Sequence, residues 1–217
     1  MTRYVMVADL RRCIGCQTCT AACKLANGTP PGVQWRRVLD MEVGEYPNVK
    51  RVFMPTGCQH CSNPPCLDIC PSGATQQRDD GIITIDYDIC IGCASCALTC
   101  PFGARYMVDD QHYAYGDRPT EDETVNANPE FNGVATKCNY CVDVVDAGIA
   151  AGLTPGIDEE ATPRCVNSCI SGAMTFGDID DPESTVSKLL HDTSHYRLKE
   201  DEGTEPGFYY IWDQDQP

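Results

Sequence analysis

The stretch RRCIGCQTCTAACKLAN, residues 11–27, sets Cys13, Cys16, Cys19 and Cys23 within one short loop. Thiols so close together need partners: disulfide partners elsewhere in the chain, a zinc ion or an iron-sulfur cluster. Arithmetic narrows the choice, because the 16 cysteines of the 217-residue chain fall into four groups of four with none left over. The second group is Cys58, Cys61, Cys66 and Cys70, the third is Cys90, Cys93, Cys96 and Cys100, and the fourth is Cys138, Cys141, Cys165 and Cys169.

Groups one and three share the spacing C-x2-C-x2-C-x3-C, the bacterial ferredoxin run in which three thiolates hold one cubane and the fourth reaches a second. Zinc sites usually bring two C-x2-C knuckles together from a distance, and a disulfide scaffold has no reason to place three cysteines at successive intervals of three. Clusters also suit the composition. The 42% hydrophobic share includes the 16 cysteines, so large apolar side chains are scarce, and metal ligation then contributes folding free energy. The clusters are expected to form much of the core.

An internal repeat organises the chain: DLRRCIGCQTCTAAC from Asp9 and DYDICIGCASCALTC from Asp86 match at every cysteine and share Asp, Ile and Gly positions. A Gly-Ala pair follows the last cysteine of a group in CPSGA at Cys70, CPFGA at Cys100 and CISGA at Cys169. Pro71 and Pro101 fix the backbone beside the cluster-swapping ligand, while Cys23 is followed by Lys24 and Cys169 by Ile170. Strands are expected at residues 4–7 and 82–85, each leading into a cysteine loop, with an Asp80-Gly81 hairpin turn and a short helix carrying each fourth cysteine. Gly15 and Gly92 either bring the backbone close to sulfur or serve turn geometry, and one glycine can do both.

Three segments lie outside these units. Residues 30–57 read as a hairpin, Leu39, Met41 and Val43 alternating with Asp40 and Glu42 before a Gly-Glu-Tyr-Pro-Asn turn. Residues 101–137 read as a long polar insert ending at Lys137, with acids at Asp109, Asp110, Asp117, Glu121, Asp122, Glu123 and Glu130. In the tail from residue 178, Asp181 and Pro182 are expected to start a helix reaching His191. The run Phe208, Tyr209, Tyr210, Ile211, Trp212 either folds back or docks on another chain. Docking is expected, because a strand that alternates its faces buries only half its side chains in its own domain.

These motifs resemble the four-cluster iron-sulfur subunits of molybdopterin oxidoreductases, of the dimethyl sulfoxide reductase and polysulfide reductase type. CQHCSNPPCLDICP and the split group CNYC plus CVNSC carry most of the resemblance, which runs over residues 4–176. It implies that motif one pairs with motif four and motif two with motif three, each pair exchanging its last cysteine. The implied sets are Cys13, Cys16, Cys19 with Cys169; Cys138, Cys141, Cys165 with Cys23; Cys58, Cys61, Cys66 with Cys100; and Cys90, Cys93, Cys96 with Cys70. Because Cys93 is present where some branches carry tryptophan and a three-iron cluster, four 4Fe-4S clusters are implied. The expected fold is α+β, two ferredoxin-like dicluster modules with insertions: residues 1–29 plus 134–177 form one module and 56–108 the other. Residues 30–55 form a β-hairpin insert, 109–133 a polar loop insert and 178–217 a C-terminal partner-docking extension.

The expected function is to relay electrons between a molybdopterin (Mo or W) catalytic subunit and a membrane quinone-reactive subunit or other redox partner. The alternative is a free soluble polyferredoxin. The 37-residue polar insert and the aromatic tail favour the former, since a free carrier gains nothing from ordered extensions. Lys24, Arg105 and Lys137, near ligands in sequence, are candidates for tuning a cluster or touching the partner's pterin, against a plain reading as solvated charge. His60 reads as a residue behind the ligands or at an interface, since its motif already has four thiols. No nucleophile elbow, P-loop or dinucleotide fingerprint is present, so no substrate site is expected. A net charge of −16 argues against nucleic acid and anionic membrane surfaces, and no apolar run is long enough to span a bilayer. The acidity suits either a salt-rich habitat or a basic partner surface. Arg11-Arg12 does not precede an apolar signal region. The expected location is the periplasmic side of the membrane, reached by export with the partner, with the cytoplasm as the alternative.

Overall fold

The structure, a computed structural model, describes residues 2–109 and 113–212. Its elements run β1 (Tyr4–Asp9), α1 (Thr18–Asn27), β2 (Arg36–Glu45), β3 (Asn48–Gly57), α2 (Pro65–Asp68), β4 (Thr75–Gln77), β5 (Ile83–Ile85), α3 (Ser95–Thr99) and β6 (Tyr106–Val108). They continue through α4 (Glu121–Asn126), β7 (Val134–Thr136), α5 (Val142–Ala150), α6 (Arg164–Asn167), β8 (Met174–Asp178), α7 (Thr185–Asp192), β9 (His195–Arg197) and β10 (Phe208–Ile211). Short helices and mostly antiparallel strands make the chain α+β. One sheet has four strands in the order β8-β1-β10-β9; β2-β3, β4-β5 and β6-β7 are two-stranded.

The four-stranded sheet is the framework. Hydrophobic β1 is buried along its whole length and pairs antiparallel with β8 and parallel with β10. One sheet face carries Met6, Ala8, Phe208 and Tyr210 into the main core. The other carries Val5, Val7, Tyr209 and Ile211 onto α7, whose Val186 and Leu190 cover them.

That double coverage corrects the expectation of a docking tail. Residues 208–211 form an interior strand with a face against each layer, so Phe208, Tyr209, Tyr210 and Ile211 are all buried within this chain. The half-burial rule holds for a strand with one wet face, and this strand has none. Two further corrections follow from local capping. The stretch 109–133 is not a plain loop: Thr120 and Glu123 form a reciprocal capping box that starts α4, and a 3-10 turn follows at Pro129–Phe131. Asp110 lies outside the described residues. The tail helix starts later than expected, because the Ser184 hydroxyl accepts from the Ser187 amide, whereas Asp181 accepts from Glu183 within the preceding turn.

Burying a side chain of the size found in β10 stabilises by roughly 1.5–3 kcal/mol, so four contribute roughly 6–12 kcal/mol, comparable with the net stability of a whole domain. Truncation after Glu205 is therefore expected to abolish the cooperative unfolding transition and iron binding together, read by circular dichroism and iron analysis. A truncated chain with a native melt and full iron content would contradict the placement of β10.

Candidate metal centres

The sheets bring distant cysteines together by one repeated rule. Ala8 pairs with Met174; Cys13 lies five residues after the first and Cys169 five before the second. Thr75 pairs with Ile85; Cys70 lies five residues before the first and Cys90 five after the second. In each antiparallel pair the run that opens one motif therefore emerges beside the last cysteine of another.

The two repeats also share their loop conformation. Gln17 and Ala94, equivalent positions, both take left-handed backbone conformations at the start of α1 and α3. Gly15 and Gly92 have φ +68 and +65, and a Cβ at Gly92 would lie 2.2 Å from the Gly133 carbonyl oxygen. The Gly15 amide meanwhile donates to the Cys13 thiol, so this glycine serves both turn and sulfur. The Gly-Ala element explains itself too: Gly73, Gly103 and Gly172 donate to the carbonyls of Cys70, Cys100 and Cys169. In two of these turns the next amides reach sulfur, Ala173 N–H at 3.2 Å from Cys169 Sγ and Thr75 N–H at 3.5 Å from Cys70 Sγ.

Four groupings of thiols result. Cys58, Cys61, Cys66 and Cys100 line one hollow with Arg105 and Ile83; Cys70, Cys90, Cys93 and Cys96 line a second, again with Arg105. Cys13 is within electrostatic reach of Cys169 and Cys16, and Cys19 of Cys165, Cys13 and Cys169. Cys23 sits among Cys138, Cys165 and Cys141. No three His, Cys, Asp or Glu side chains among the described residues converge tightly enough to hold a single metal ion. The thiols instead surround spaces.

Burial holds many of these thiols protonated in the absence of metal. It pushes Cys19 up to about 11 against the pull of Arg36, and Cys61 and Cys141 up to about 12 with help from neighbouring thiols. Cys70 goes the other way: burial raises it, but hydrogen bonds from Thr75 and Ser72 outweigh that and bring it down to about 7. Ligation needs thiolates, so loading metal at the buried groups expels protons.

The basic candidates separate. Lys24 is half-buried and donates to the carbonyls of Thr29 (2.8 Å), Pro30 (2.7 Å) and Val33 (3.4 Å), bracing the turn after α1. Arg105 and Lys137 are 6% and 1% exposed, so neither is the solvated surface charge of the plain reading. Arg105 Nη2 instead lies 3.0 Å from Cys66 Sγ, while Lys137 donates to the carbonyls of Ile83 and Cys138. His60 is buried, accepts at Nδ1 from the Ile83 amide and stacks on Tyr140, so it is no interface residue.

Sequence reasoning missed Arg36. It is 1% exposed, its guanidinium lies 5.0 Å from the Phe208 ring centre, and its Nη2 donates to Met6 Sδ. Its Nε and Nη1 have no hydrogen-bond partner among the described residues, and its charge is felt by Cys165, Cys138, Cys23 and Cys19. An unpaired buried guanidinium facing four thiols suits a sulfur-ligated cluster of net negative charge, and the donor sets fit such groups. Nothing near Arg36 in sequence announces this, since it opens a strand far from any cysteine motif.

Residues 49–115 match the family described as 4Fe-4S dicluster domain. Over 97% of its length the chain is 39% identical to a protein of Halobacterium salinarum named as the iron-sulfur subunit of a dimethyl sulfoxide reductase, covering 79% of that protein. It is 38% identical to a subunit of the selenate reductase of Mesobacillus selenatarsenatis and 38% identical to a subunit of the tetrathionate reductase of Salmonella typhimurium, over 96% of this chain and 72% of each relative.

The glycines give a local test of the loops. Gly73 and Gly92 both have positive φ, but a Cβ at Gly73 meets nothing within 4 Å. Gly73→Ala is expected to lose only the left-handed penalty, about 1–2 kcal/mol, and Gly92→Ala clearly more. Thermal loss of cluster absorbance under anaerobic conditions, compared at one scan rate, reads the difference; equal midpoints would contradict the close approach at Gly133.

Proposed function

Because the chain belongs to the iron-sulfur subunits of the molybdopterin oxidoreductases, we propose that its 16 cysteines hold four 4Fe-4S clusters and that it relays electrons for a catalytic partner without a substrate site of its own. The ligand sets are Cys13, Cys16, Cys19 and Cys169 (site I); Cys23, Cys138, Cys141 and Cys165 (site II); Cys58, Cys61, Cys66 and Cys100 (site III); and Cys70, Cys90, Cys93 and Cys96 (site IV). Bound there, the clusters supply one-electron sites.

The observation that carries this reading is how exposure is distributed. All four thiols of site II are buried, as are Cys58 and Cys61 of site III, whereas Cys16 of site I and Cys93 of site IV are exposed. Exposed apolar residues stand beside both open ends. Ile14 and Ile170 adjoin cysteines of site I in sequence, and Ile69, Ile89, Ile91 and Leu98 adjoin or lie near cysteines of site IV. Two open ends with apolar rims and an insulated middle suit a conductor clamped between two protein partners, a molybdopterin subunit and a second redox subunit. A free polyferredoxin has no use for such rims, which are aggregation liabilities unless a partner covers them. No helix among the described residues is long and apolar enough to cross a membrane, so a quinone-reactive partner would supply that span.

The protein purified without oxygen is expected to bind about sixteen iron and sixteen acid-labile sulfide per chain, four of each for every set of four thiols. Stoichiometric zinc with little iron would refute the reading. Cys93→Ser is expected to convert or remove only the site IV cluster, leaving three 4Fe-4S signals by electron paramagnetic resonance. Isolation of the native protein with a molybdopterin subunit, rather than alone, separates the relay from the free carrier.

A further inference from the structure

The chain is strongly acidic, with 16 Lys and Arg against 32 Asp and Glu, yet three of its cations are buried: Arg36, Arg105 and Lys137. None forms an ion pair with a carboxylate among the described residues. The one buried acid, Asp9, is paired with Arg11. Taking a lone ion out of water costs several kcal/mol, and removing only its counter-charge is strongly destabilising. The negative charge that matches these three must come from the cysteine sites.

Their placement is ordered. Arg36, buried with its Nε and Nη1 lacking a hydrogen-bond partner among the described residues, interacts electrostatically with Cys165, Cys138 and Cys23 of site II and with Cys19 of site I, which puts it at the contact of the two. Lys137 lies between sites II and III: it donates to the carbonyl of Cys138 at 2.7 Å and to the carbonyl of Ile83, which lines the site III hollow. Arg105 lies between sites III and IV and lines both hollows. Its Nη2 is 3.0 Å from Cys66 Sγ and its Nη1 is 3.0 Å from Thr75 Oγ1, while the Thr75 amide reaches Cys70 Sγ.

We propose that Arg36, Lys137 and Arg105 are junction charges, one at each contact in the order I–II–III–IV, and that each raises the electron affinity of both sites it separates. The proposal rests on the four-cluster reading above. Reduction adds one negative charge at a site, and a fixed buried cation shared by two neighbours favours that charge on either. Sites II and III touch two cations and sites I and IV one. The interior of the relay, furthest from water and its screening, thus receives most of the compensating charge. Lys24, which braces a turn, has no such place.

The test is a redox titration of the full-length, cluster-loaded protein followed by electron paramagnetic resonance, with wild-type iron and sulfide counted first. Fewer than four clusters in the wild type would fail the functional reading, whatever the variants do. Given four, Arg36→Gln is expected to lower the reduction equilibrium of two clusters at least tenfold, about 59 mV for one electron. Arg105→Gln is expected to do the same to the other two, and Lys137→Gln to one cluster from each pair. Arg36→Lys, which keeps the charge, should leave both potentials within a threefold change. A shift confined to one cluster, spread equally over four, absent, or as large in Arg36→Lys as in Arg36→Gln would overturn the proposal. Should Arg36→Gln fail to load, the overlap between Arg105→Gln and Lys137→Gln, one shared cluster out of three affected, carries the same decision.

Discussion

The compensation of buried cations by sulfur-held negative charge is the interaction on which the rest of this structure depends. Arg36 and Lys137 are each 1% exposed with no carboxylate to pair with among the described residues, and the negative groups that act on them are cysteines. With neutral thiols the cations are uncompensated. With bare thiolates, several like charges crowd together against the same desolvation that drives Cys61 and Cys141 up to about 12. Clusters resolve both problems, because iron displaces the thiol protons and leaves a diffuse net negative charge beside each cation. Folding and metal loading are on this account one event.

The sheets supply the geometry for that event. Pairing of Ala8 with Met174 and of Thr75 with Ile85 places the last cysteine of one motif beside the opening of another, at the same five-residue offset in both units. β10 then closes the larger sheet. It runs parallel to β1, with Phe208 and Tyr210 facing the interior near Arg36 and with Tyr209 and Ile211 beneath α7. The C-terminal segment is thus a structural clamp that also holds the loop of the second motif, where Ser62 and Asn63 donate to the carbonyls of Glu205 and Thr204 and Gly207 donates to that of Gln59.

Conduction asks for an interior shielded from water and ends that are not. Cys16 and Cys93 stand at equivalent positions of the internal repeat, and both are exposed. The two exposed thiols therefore come from one duplicated loop. The split fourth motif and the C-x2-C-x4-C-x3-C motif supply thiols to the buried middle.

The cysteine spacing, the internal repeat and the Gly-Ala turns were legible in the sequence, because ligands for a cubane must recur at short fixed intervals and short-range constraint leaves a short-range pattern. The hairpin around Tyr46-Pro47 was legible in the alternation of Leu39, Met41 and Val43 with Asp40 and Glu42 and in the turn residues that follow, although Leu39 and Val43 are exposed in the folded hairpin. The tail was misread because local alternation cannot say whether one face or both will be covered; only α7 packing on the far side of the sheet made residues 208–211 interior. The start of α4 was hidden in an acidic stretch, although Thr120 and Glu123 stand at capping-box spacing. Arg36 was beyond reach, as one basic residue among 16 at the head of a strand. The motif chemistry was written in the chain, while the positions of the charges that balance it depend on long-range packing, which brings Arg36 to Cys138 and Cys165 from more than a hundred residues away.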